Sequence, residues 1–91
     1  MDETIVFGLA THVDAVELCE HLEPARLCAV EFEDLGWHVR AGFGPDPSDL
    51  AHLLRDVEAW AARRTIGEIP FLVDGRTYVL LSHDAQLARA G

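Results

Sequence analysis

Ninety-one residues, 49 % of them hydrophobic, suffice for one domain with one core. No apolar run approaches the roughly 20 residues of a membrane-spanning helix, so no membrane partner is expected. Sixteen acids against seven arginines and no lysine give a formal net charge of −9, which repels phosphate backbones and argues against nucleic-acid binding. The acidity is uneven: residues 1–34 hold nine acids against Arg26 alone (−8), and residues 35–91 hold seven against six arginines (−1). Such a surface serves plain solubility or a basic partner.

Met1-Asp2-Glu3-Thr4 is acidic where a secretory signal is basic, so the expected setting is the reducing cytoplasm. Cys19 and Cys28 then read as two small buried hydrophobes. Their spacing is neither C-x-x-C nor half of a zinc knuckle.

Along the chain, Thr4 to Leu9 alternates as a first strand, with Ile5, Phe7 and Leu9 on one side. Thr11 is placed as the N-cap of a helix from about His12 to Leu22, with Asp14 in the capping-box position. That helix gathers Ala15, Leu18, Cys19 and Leu22 on one stripe, and Pro24 ends it.

Leu27 to Glu33 and Trp37 to Phe43 follow as two strands. A two-residue turn at Leu35-Gly36 sets Glu33 opposite His38 and Glu31 opposite Arg40, so that opposite charges meet on the outer surface. Asp46, Pro47 and Asp49 then mark the start of a second helix running to about Arg64. Its stripe of Leu50, Leu53, Leu54, Val57, Trp60 and Ala61 is the clearest periodicity in the chain, and Gly67 reads as its stop.

Ile69 to Leu81 contains Asp74-Gly75 between two apolar runs, the pattern of a tight β-hairpin. Ile69, Phe71, Tyr78 and Leu80 make one face, and Pro70, Leu72, Val79 and Leu81 the other. Pro70 fits an edge strand, where its missing N–H is not needed. Residues 82–91, with Ser82 as a cap, read as a short terminal helix or tail.

The order β-α-β-β-α-β-β predicts a single α+β domain over residues 1–91. Its first six elements follow a ferredoxin-like (split βαβ) two-layer sandwich, and the last strand adds a C-terminal hairpin.

The chemistry-bearing residues fall short of any catalytic or cofactor pattern. Cys19-Glu20-His21 places ligand types on diverging helix faces, and no H-x-x-x-H motif occurs. Gly42-Phe43-Gly44 precedes a helix as a phosphate loop does, but Asp46 and Asp49 set carboxylates where the anion belongs and no lysine follows. Ser82-His83-Asp84 are chain neighbours, which rarely make a working triad.

No catalytic residue, metal or cofactor is therefore assigned, and the chain is read as more an interaction domain than an enzyme. A hairpin apolar on both faces needs cover for its second face. Pro70, Leu72, Val79 and Leu81 are the expected interaction residues, met by a second copy, by another protein, or by Leu87 and the terminal segment.

Two alternatives stand beside this reading. One is a small-molecule-binding regulatory domain or small enzyme, with His38, Arg40 and Arg76 as polar contacts. The other is an acidic inhibitor or immunity-type protein for a basic partner, using Glu17, Glu20 and Glu23.

Overall fold

The computed structural model describes residues 3–23, 26–33 and 36–81. Five strands and two helices alternate in the order β1 (Glu3–Leu9), α1 (His12–Leu22), β2 (Cys28–Glu33), β3 (Gly36–Phe43), α2 (Pro47–Arg63), β4 (Glu68–Val73) and β5 (Arg76–Leu81). The strands form one sheet in the order β2-β3-β1-β4-β5, and every neighbouring pair is antiparallel. Each helix thus joins two parallel strands that a third strand separates.

Both helices start where the side chains supply caps. Thr11 Oγ1 accepts from the Asp14 N–H at 3.1 Å, and Asp46 Oδ1 accepts from the Ser48 N–H at 2.9 Å. Asp49 does not close a box on Asp46. Its carboxylate instead takes the Gly44 N–H at 2.8 Å from the turn after β3 and pairs with Arg26, which reaches it from before β2 and also donates to the Gly42 carbonyl.

Nor does α2 stop at Gly67. The chain leaves the helix at Thr65, which takes up the left-handed conformation (φ 56°) that the sequence had reserved for glycine. Arg64 lies over Trp60 and reaches α1, bonding Asp14 at 2.7 Å and also Glu17.

The helices cover one sheet face. Ile5, Phe7, Val39, Ala41 and Ile69 from the sheet close against Ala15, Leu18, Leu53 and Val57, all nearly or wholly buried. The apolar alternation of the strands and the two helical stripes meet here, and their burial is the main favourable term in folding. Phe7 and Phe71 extend the core toward the hairpin with ring centroids 5.9 Å apart, and Tyr78 stacks on Phe71 at 5.4 Å.

Two registers separate what the sequence specifies well from what it does not. Asp74 and Gly75 both adopt positive φ (53° and 74°), and the β4–β5 pairs run Val73↔Arg76, Leu72↔Thr77, Phe71↔Tyr78, Pro70↔Val79 and Ile69↔Leu80, as the turn predicts.

The β2–β3 hairpin is shifted by two residues from its expected pairing. Gly36 is inside β3 opposite Glu33, and Glu31 faces His38. A two-residue shift leaves each side chain on its own face. Glu31 and Arg40 therefore still meet, diagonally, at 3.1 Å.

An open sheet face with a groove over Gly8

The face turned away from the helices carries Val6 and Gly8 of β1, Ala29, Glu31 and Glu33 of β2, and His38 and Arg40 of β3. From the hairpin it carries Pro70 and Leu72 of β4, with Thr77, Val79 and Leu81 of β5. No described element packs over this face. Leu72 is 44 % exposed and Val79 54 %, and the two lie on neighbouring strands of this one face. The polar groups lie toward the β2 edge and the apolar ones toward the hairpin, so the face is divided across its width.

A groove of about 320 Å³ runs along the middle of the face, with His38 and Arg40 on one side and Val6, Pro70 and Leu72 on the other. Gly8 forms its floor. A Cβ there would stand 3.2 Å from Pro70 Cγ, closer than the ring can comfortably accept, so glycine is what lets the Pro70 ring settle against β1.

Pro70 itself is not on an edge strand. β4 lies between β1 and β5, and its pairs with β1 run from Ile5↔Val73 to Phe7↔Phe71, one residue short of Pro70. The sheet accommodates the missing N–H by ending that ladder, and the groove lies at the interruption.

The structure thus brings two sets of expected site residues together. Pro70, Leu72, Val79 and the half-buried Leu81 share one face with His38 and Arg40. Arg76 does not join them. It pairs with Val73 at the hairpin turn and belongs to the helix side of the sheet. Glu31 holds Arg40 Nε and Nη2, so that guanidinium is already engaged in part. Gly8 and Val6 were missed as site residues. The available signal was a glycine in a strand whose neighbours are all bulky, which marks close approach of another backbone or side chain.

The other chemistry-bearing residues have structural roles. Among the described residues no group of three or more His, Cys, Asp and Glu gathers as a metal site. The Gly44 N–H that a phosphate would use is taken by Asp49. That bond, and then Arg26, holds the Asp49 carboxyl below its usual range, and the Ser48 N–H and hydroxyl do the same for Asp46.

Ser48 Oγ donates to Asp46 Oδ1 at 2.9 Å. Ser82, His83, Asp84 and Leu87 lie outside the described residues, as does the expected terminal helix. On α1, Arg64 engages Glu17 along with Asp14, which reduces the free acidic surface that the inhibitor reading relied on.

The chain was compared with protein-family models, with curated proteins and with solved structures, and none of the three yields a match.

Proposed function

We propose that this chain is a non-catalytic, self-associating interaction domain of ferredoxin-like topology, in which two copies pack open face to open face about the outer side of the C-terminal hairpin. The observation that carries the reading is the apolar strip of Val6, Pro70, Leu72 and Val79 on a sheet face that no described element covers.

The contact is small: β1, β4 and β5, spaced about 4.8 Å apart and about 20 Å long, offer roughly 300 Å² a copy, so two faces together bury about 600 Å², the size of a weak, reversible association. The pattern is self-complementary as well, since a two-fold axis near Leu72 lays strip on strip and leaves the Glu31–Arg40 side as a polar rim. The strand order β2-β3-β1-β4, with α1 and α2 crossing on one face, supports the ferredoxin-like assignment.

Sedimentation equilibrium of the full chain tests the proposal. The expected result is a reversible monomer–dimer equilibrium that tightens as salt rises, because each copy carries −9 and added salt screens their repulsion. A chain that stays monomeric up to millimolar concentration overturns it. Association with a basic partner would weaken with salt instead, so the sign of the salt effect separates the two readings.

The groove over Gly8 favours a second reading, a regulatory site for a small molecule with His38 and Arg40 as polar contacts. A thermal-shift screen against metabolites checks it. Stabilisation that Gly8→Val abolishes supports the site, and no stabilisation by any compound removes it.

A further inference from the structure

We propose that Cys19 and Cys28 form an oxidisable pair that closes an intramolecular disulfide between α1 and β2. The two residues are nine positions apart in the chain and lie on either side of the α1–β2 connection. Cys19 belongs to the buried stripe of α1. Cys28 opens β2 opposite Ala41, a wholly buried residue of the helix-covered face, and so points toward α1. Cys28 packs against the buried cluster to which Cys19 belongs, each thiol perturbs the other's ionisation, and Cys19 Sγ donates to Glu23 Oε1 at 3.6 Å. Neither is bonded in this structure. Closure draws the two sulfurs together across the α1–β2 contact to the roughly 2.05 Å of an S–S bond.

Hydrogen peroxide is a sufficient oxidant. One cysteine, as thiolate, attacks a peroxide oxygen. The O–O bond breaks, and hydroxide leaves with the thiol's proton as water, giving a sulfenic acid. The second sulfur then displaces hydroxide from the first, the S–O bond breaks, and its proton completes a second water. The two sulfurs lose two electrons in total and the peroxide oxygens gain them.

Burial pushes the Cys19 thiol up and the Cys28 thiol up to about 12, so Cys19 is the sulfur that ionises first. Both are protonated near neutrality, which makes the pair slow to oxidise there and steeply faster as pH rises. The device is a latent staple that closes under sustained oxidation.

The test treats the reduced full chain with excess hydrogen peroxide at neutral and at alkaline pH, then alkylates it unfolded and weighs it intact. The expected product is monomeric, about 2 Da lighter, with neither cysteine alkylated, and dithiothreitol reverses the change. Its rate climbs about tenfold per pH unit below the thiol pKa. Its melting temperature rises by about 10–20 °C, since a loop of about ten residues is closed in the unfolded chain.

Cys28→Ser should take up oxygen at Cys19 and lose no mass. Oxygen addition without the 2 Da loss in the wild type, cross-linking between chains, or two alkylatable thiols after full treatment each overturn the proposal. None of these readouts depends on the open sheet face.

Discussion

Replacing Leu72 and Val79 by aspartate probes the open face where its apolar strip is most exposed. The side chains are 44 % and 54 % exposed, so about half of each remains for a partner to bury. Full burial of such a side chain contributes about 1.5–3 kcal/mol, and the remaining half about 1 kcal/mol. In a two-fold pair each residue counts twice, so the four side chains contribute about 4 kcal/mol, and their loss weakens association roughly 1,000-fold.

Carboxylates forced into the same contact add to the loss, because a buried unpaired charge is costly. Neither residue belongs to the core, so the fold should survive with little change in melting temperature. Sedimentation velocity across micromolar to millimolar concentrations, with circular dichroism to confirm folding, reads the outcome. A variant whose mass tracks the wild type at every concentration refutes the reasoning, since it would place the contact elsewhere.

Thr65 adopts φ 56°, a conformation that costs a β-branched residue about 1–2 kcal/mol, against which glycine adds about 0.5–1 kcal/mol of unfolded-chain freedom. Thr65→Gly should therefore raise the melting temperature by about 3–5 °C, and a fall would show that the contacts of Thr65 outweigh its strain. Gly75→Ala should do the reverse, lowering it by at least about 4 °C in a thermal melt. Gly75 lies at φ 74°, and a Cβ there meets no other atom, so the cost is backbone strain alone.

Asp46 and Asp49 have folded-state pKa values lowered by their hydrogen bonds and, for Asp49, by Arg26. Their stabilisation is complete above the unfolded carboxylate range and is lost as pH falls through the lowered folded values. Melting temperature should accordingly fall on acidification below about pH 5, and Asp49→Asn should be less stable at neutral pH with a flatter acid limb. An acid limb of unchanged steepness in that variant would contradict the assignment.

The elements themselves were legible because each carried several agreeing signals. α2 combined a capping aspartate, Pro47 at its first turn and an unbroken stripe from Leu50 to Ala61. Asp74-Gly75 fixed both the turn and the register of β4–β5.

Where a single local signal had to decide, neighbouring structure could override it. The β2–β3 register slipped by two because either pairing keeps the same faces. The end of α2 fell on Thr65 because the Thr65 and Ile66 N–H groups turn back onto the Ala62 and Ala61 carbonyls and Ile66 packs against the core, whereas the two β2–β3 registers differ only in their turn. Proline fits poorly in a central strand, and that rule alone places Pro70 at an edge. It occupies a central strand because the β1–β4 ladder stops before it and Gly8 makes room.

The candidate site shows the same division. Sequence alone determined that the hairpin is apolar on both sides and which four residues make its second face, since alternation along a strand is a local property. It could not place that face beside His38 and Arg40 while turning Arg76 away, or set Gly8 under Pro70. Nor could it bring Cys19 against Cys28, because each of these juxtapositions depends on strand order and helix packing between residues distant in the chain. Side-chain pattern fixed the faces, and only the tertiary pairing of β1 with β3 and β4, and the seating of α1 on β2 and β3, decided which faces became one surface.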